Sequence, residues 1–269
     1  MSDVLRDVVY RVVPGYRPLA LDLHLPDSAA PQAVCVYLHG GGWRIGSRRD
    51  GPGAPAPDSG RRFERITARG LAVASVDYRL SAEAGFPAQR DDVAAACTFL
   101  DRNRESLRLG GAPFVVWGVS AGGQLAALRA LDAEQEPVIT AAVCWYPVTD
   151  LAALPDDTDA AGGAGDRGPG SREAQLLGAP APDAGSLAAQ ASPVGQVHSG
   201  APPFLLVHGT ADVDVPLQQS RRLAEALQAV GAAATVETVE NEGHLFRTLA
   251  PAALEALIDR STQFLLTGR

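Results

Sequence analysis

Gly118-Val119-Ser120-Ala121-Gly122 joins an apolar run, "PFVVWG" (113–118), to a stretch that reads as an amphipathic helix over 121–131. A serine held between glycines at a strand-to-helix turn is forced into a strained conformation that presents its hydroxyl at a sheet edge. The glycines let neighbouring backbone pass without side-chain clashes. The five-residue pattern is short, so its weight comes from its place between strand and helix. A tight turn with an incidental serine is the plain alternative. A serine hydroxyl is a poor nucleophile without a base, and the base needs a third group to orient it. On a sheet of this kind the partners follow in the order serine, acid, histidine.

Of the five histidines, His24 and His39 precede Ser120. His198 lies before the strand that should carry the acid, and His208 ends that strand, so the order disfavours both. His244, in "ENEGHLF", falls between the last expected strand and the last helix, where a loop can place an imidazole over the sheet edge. Two carboxylates follow His208 in "FLLVHGTADVDVP" (204–216). Asp212 is the favoured acceptor of the His244 Nδ1–H by its place in the motif. Asp214 is the rival, and otherwise a turn or helix N-terminal carboxylate. Attack on a carbonyl creates an oxyanion that backbone N–H groups must stabilise. Ala121, just after the nucleophile, supplies one donor. "LHGGGWRIGS" (38–47) supplies others in Gly41 and Gly42, where side chains would block the carbonyl. A glycine turn required only by the fold explains the bend but not its co-occurrence with G-x-S-x-G.

These groups require elements that end at one sheet edge. "RDVVYRVV" (6–13) and "LALDLHL" (19–25) read as early antiparallel strands. The near-continuous apolar runs at 33–39, 71–78, 113–118, 138–147 and 203–209 suit parallel strands buried on both faces, and 234–240 reads as one more strand. Helical stretches at about 59–69, 87–102, 121–131, 216–230 and 247–266 alternate with them. The alternation predicts an α/β fold with a mostly parallel sheet covered on both faces. Two segments interrupt it. "RDGPGAPAPDSG" (49–60) reads as a surface loop. The long Ala/Asp/Gly/Pro-rich segment at about 150–193 reads as a lid-like insertion, mobile in part, in a single domain spanning 1–269.

Of the 269 residues, 46% are hydrophobic and 20% charged, with a formal net charge of −8 and no concentrated basic stripe. Nucleic acid is therefore not an expected partner. No apolar run approaches a membrane span, and the N-terminus lacks a basic region followed by an apolar one. The expectation is a cytoplasmic protein that does not enter membranes. Cys35, Cys97 and Cys144 lie among apolar neighbours without metal-ligand spacing, which suits buried free thiols.

With these residues assembled, the chain resembles the α/β-hydrolase esterases. It is similar to the HGGGW-bearing branch that holds hormone-sensitive-lipase-like esterases, acetyl- and feruloyl-esterase relatives and kynurenine formamidases. The likeness covers nearly the whole chain: His39-Gly40-Gly41-Gly42-Trp43, "VDYRL" (76–80), "FPAQRDDV" (86–93), "GVSAGGQLAAL" (118–128), "ASPV" (191–194), "PPFLLVHGTADVDVP" (202–216) and "EGHLF" (242–246). The resemblance implies a Ser120–Asp212–His244 triad with Gly41, Gly42 and Ala121 as oxyanion hole. It further implies a structural His39, a scaffold role for Asp77, Tyr78 and Arg79, and a Trp43 that either lines the substrate pocket or packs in the core. One departure is Val119, where relatives usually carry an acid before the nucleophile. A second is a reduced N-terminal cap.

The expected chemistry is hydrolysis of a small carboxylic ester through an acyl-enzyme, with no metal or cofactor, by a monomer or homodimer. A histidine base predicts activity that falls below about pH 6–7. An amidase or formamidase acting on a small aryl amide would use the same residues with a different leaving group. A peptidase is disfavoured, since the chain has no room for a propeller. The other readings are a non-catalytic ligand-binding module and an interaction scaffold using the two long loops.

Overall fold

The computed structural model describes residues 3–27, 30–54, 61–134 and 136–269. Residues 55–60 of the expected 49–60 loop, which include the expected start of the first helix, lie outside the described residues. Strands β1 (Val4–Arg11), β2 (Leu19–His24), β3 (Ala33–Leu38), β4 (Leu71–Val76), β5 (Phe114–Val119), β6 (Ile139–Trp145), β7 (Phe204–Gly209) and β8 (Ala234–Val239) form one sheet. Its order is β1-β2-β4-β3-β5-β6-β7-β8, with β2 antiparallel to both its neighbours, β1 and β4, and every other pair parallel. β2, β3, β4, β5 and β7 are buried at every position, whereas the edge strands β1 and β8 are half exposed. Continuous apolar runs therefore mark interior strands, which need apolar side chains on both faces.

Alternation along the strands divides the core into two layers. Val34, Val36 and Leu38 of β3 pack on one face, and Ala33, Cys35 and Tyr37 on the other. The first layer lies under helices α2 (Ala88–Arg102), α3 (Ala121–Ala130) and α7 (Leu217–Ala229). The second lies under α1 (Arg61–Thr67) and α8 (Pro251–Thr267). Cys35, Cys97 and Cys144 are free and buried. No helix among the described residues is long and apolar enough to cross a membrane.

The 150–193 segment folds as short helices α4 (Leu154–Ala160), α5 (Arg172–Leu177) and α6 (Ser186–Ala191) with a 3-10 turn at Ala181–Asp183. It is anchored at both ends. Gln219 of α7 accepts the Thr149 and Asp150 N–H groups at 2.8 Å each, and Arg222 pairs with Asp157 at 2.8 Å. Gln124 of α3 donates to the Ala191 carbonyl at 2.7 Å.

Parallel register brings the site loops together. Leu38 pairs with Gly118, so the glycine loop after β3 and the serine turn after β5 leave the sheet side by side. β7 and β8 stay paired through Gly209 and Val239, which places the next two loops at the same edge. Loops at the carboxyl ends of parallel strands are where such sheets build their sites.

His24, at the end of β2, tests the packing at the antiparallel edge. Its ring lies 4.8 Å from Phe63, and its Nδ1 has no hydrogen-bond partner among the described residues. Burial lowers its pKa to about 4, against the partial opposition of Asp22. The unfolded chain takes up a proton near pH 6.5, so stability is fully present above that value. It is lost as pH falls towards 4, by up to about 3 kcal/mol. Urea midpoints measured from pH 7.5 to 4.5 are expected to fall with pH. His24→Asn should flatten part of that slope, and an unchanged slope would remove His24 as its source.

Candidate active site

Ser120 has φ 53° and ψ −121°, a conformation that non-glycine residues avoid and that is held here by its surroundings. Its N–H donates to the Trp145 carbonyl at 2.9 Å, while a Cβ on Gly118 would lie 2.0 Å from the Gly122 carbonyl oxygen. A Cβ on Gly122 would meet the Leu38 and His39 carbonyl oxygens at 2.2 and 2.3 Å. The two glycines are thus demanded by backbone packed on backbone. Val119, where an acid was the family expectation, is buried in the layer that also holds Trp145 and Phe246.

The Ser120 hydroxyl donates to His244 Nε2 at 2.9 Å, and His244 Nδ1–H donates to Asp212 Oδ2 at 2.7 Å. His244 sits on a 3-10 turn, His244–Phe246, after β8, with its ring edge-on to Tyr146 at 4.8 Å. The second oxygen of Asp212 accepts the Asp214 and Val215 N–H groups at 3.0 and 2.9 Å. Burial alone would push the Asp212 carboxyl up. Hydrogen bonds from His208 and His244 outweigh it and hold the carboxyl well below the usual carboxylate range. The Asp214 side chain is exposed and only its backbone N–H enters the network, so Asp212 is the carboxylate that faces His244.

Gly41 and Gly42 have φ 111° and 59°. A Cβ on Gly41 would lie 2.2 Å from the Ile45 carbonyl oxygen, and one on Gly42 would lie 2.6 Å from the Arg172 Cδ. The sequence argument reserved this space for a carbonyl. In the fold, the loop's own turn fills it at Gly41 and the stem of Arg172, from the inserted α5, fills it at Gly42. The Gly41 and Gly42 N–H groups donate to nothing among the described residues. The Ala121 N–H, at the first position of α3, has no intrahelical acceptor. All three remain available for a substrate oxygen.

The residues around the glycine loop support it. His39 stacks on Tyr78 at 4.4 Å, and the Tyr78 hydroxyl donates to the His39 carbonyl at 2.9 Å. Burial lowers the His39 pKa, which favours the neutral ring. Asp77 accepts the Arg48 N–H at 2.8 Å, and Arg79 forms a buried two-pronged pair with Asp92 at 2.8 Å per bond. For Trp43 the resemblance leaves open a pocket wall or a place in the core. Trp43 is 1% exposed, lies in the main core and donates from Nε1 to Gln124 at 3.1 Å. Its indole packs in the core and ties the glycine loop to α3 through that bond. Tyr146 and Arg172 escaped the sequence argument. Tyr146 follows an apolar run that ends at the same sheet edge, and that position was its signal. Nothing local marked Arg172, which reaches the site only through the fold of the insertion. Among the described residues there is no cluster of His, Cys, Asp and Glu suited to a metal ion.

The family model BD-FAE matches residues 21–227. The chain belongs to the BD-FAE family, within the α/β-hydrolase esterases. Esterase LipQ of Mycobacterium tuberculosis is 31% identical over 269 residues, covering 94% of this chain and 60% of LipQ. This chain therefore spans little more than half the length of that relative. Carboxylesterase NlhH of the same organism is 32% identical, covering 94% of this chain and 76% of NlhH. A truncated carbohydrate esterase from gut microbiota superposes with a TM-score of 0.79 at 24% identity, covering 98% of this chain and 96% of that one. The fold of this BD-FAE member is the α/β-hydrolase fold, with its sheet mostly parallel and helices on both faces.

Proposed function

We propose that the protein hydrolyses small carboxylic esters through an acyl-enzyme on Ser120. The observation that carries this reading is the continuous Ser120–His244–Asp212 hydrogen-bond chain, flanked by the glycine loop and the start of α3, whose Gly41, Gly42 and Ala121 N–H groups have no backbone acceptor among the described residues. Ser120 Oγ attacks the ester carbonyl as His244 Nε2 takes its proton. The N–H groups of Ala121, Gly41 and Gly42 hold the oxyanion. His244 then protonates the departing alcohol. Water, deprotonated by the same imidazole, releases the acid and restores Ser120. The 150–193 insertion acts as the lid of a single catalytic domain, with Arg172 at the oxyanion loop as its contact with the chemistry.

The test is a 4-nitrophenyl ester series from acetate to laurate with a matched 4-nitroanilide. The expected result is ester hydrolysis with an optimum at the short-chain end and little turnover of the anilide. Turnover of the anilide alone would replace the esterase with an amidase. The acid limb of kcat/KM is expected to follow a single proton, because Asp212 stays ionised and one imidazole serves as the base. A two-proton limb would contradict this assignment of roles.

A further inference from the structure

His208 is fully buried near the end of β7 and takes no part in the proton transfers above. Its Nε2 lies 2.7 Å from the Val215 carbonyl oxygen, which can only accept. That nitrogen therefore carries the proton. Its Nδ1 lies 2.7 Å from Ser220 Oγ on α7, a hydroxyl able to donate or accept. Both nitrogens are thus engaged, one by the Val215 carbonyl and one by the Ser220 hydroxyl. The same Nε2 is 3.4 Å from Asp212 Oδ2, the oxygen that accepts from His244. The Val215 N–H binds the other oxygen of Asp212. Val215 thus holds the carboxylate through its N–H and is held by His208 through its carbonyl. The triad carboxylate sits between two imidazoles, those of His244 and His208.

We propose that His208 is a positioning residue of the triad: a buried imidazole whose Nε2–H, held by the Val215 carbonyl, clamps the 212–215 loop and aims Asp212 Oδ2 at His244. It cannot replace His244 as base, because Val215 and Ser220 occupy both of its nitrogens. The sequence order rule set His208 aside as a base, and this arrangement gives it a different task. The inference rests on the triad reading of the preceding section.

The experiment compares wild type, His208→Leu and His208→Gln, with kcat expressed per folded molecule from near-UV circular dichroism. Gln places an amide N–H near the position of Nε2, and Leu supplies bulk alone. Misaiming a catalytic group by about 1 Å costs on the order of 100-fold. The Leu variant is expected to lose about that much in kcat with KM little changed, and Gln is expected to restore most of it. In the resting protein, the low-field proton resonance of His244 Nδ1–H is expected to move in the Leu variant and to return towards wild type with Gln. The proposal is overturned if the folded Leu molecules turn over at the wild-type rate, if Gln restores nothing, or if the resonance stays in place. The resonance requires no substrate. A wild type inactive on every ester whose resonance still moves with Leu would sink the esterase reading while leaving the clamp standing.

Discussion

Ser120→Ala is expected to lower kcat for the best 4-nitrophenyl ester by about 10⁴- to 10⁶-fold and to abolish labelling by a fluorophosphonate. The chain should nevertheless fold. Alanine keeps the Cβ and inherits the same positive φ of 53°, so the strain at the turn is unchanged. What is lost is one hydroxyl and its 2.9 Å bond to His244. The oxyanion donors remain, since all three are backbone groups, and they set the floor of residual activity. Ser120→Gly should be equally inactive yet more stable than Ser120→Ala, because glycine relieves strain on the order of 1 kcal/mol. Thermal melts of the two variants test the strain, and the ester assay tests the nucleophile. Ester hydrolysis surviving in Ser120→Ala would move the chemistry to another residue.

The parts of this site that were legible in the sequence are those that short-range rules specify. Apolar runs located the strands because an interior parallel strand has no exposed face to break the run. The 71–78 run ends as a strand at Val76: Asp77 still donates its N–H to the Ala20 carbonyl of β2 at 3.0 Å, while its carboxylate binds Arg48 and the Tyr78 hydroxyl binds the His39 carbonyl beneath the glycine loop. Chain order and strand ends point to Ser120 and His244 and narrow the acid to Asp212 or Asp214, with Asp212 favoured by its place in the motif; in the fold Ser120 and Asp212 each hydrogen-bond His244. The insertion was harder. Its helices α4, α5 and α6 are six or seven residues long, too short for a hydrophobic period to rise above an Ala- and Gly-rich background. Caps were present all the same. Ser171 accepts the Ala174 N–H at 3.0 Å, and Gly178 closes α5 in the left-handed region. The contact of Arg172 with Gly42 links positions 130 apart in the chain. No local rule reaches that far, and for the same reason Trp43 could be placed in the core only by its bond to Gln124.

Asp212→Asn is expected to lower kcat by about 10⁴-fold with little change in KM, and the local geometry dictates how. One carboxylate oxygen accepts two backbone N–H groups, from Asp214 and Val215. In the variant the amide oxygen must take that place, since an NH₂ there would face two donors. The NH₂ is then turned towards His244 Nδ1 and forces that nitrogen to accept. His244 must carry its proton on Nε2, the atom that has to receive the proton of Ser120. The same NH₂ also faces the Nε2–H of His208, which lies 3.4 Å from Oδ2 in the native protein. Asp214→Asn provides the control. Its side chain is exposed and its contribution is a backbone N–H that the substitution retains, so activity should stay within about threefold of wild type. Rates for both variants on one ester decide the matter. Equal losses would mean that the loop, rather than the carboxylate facing His244, carries the effect. A large loss confined to Asp214→Asn would transfer the acid's role two residues along the chain.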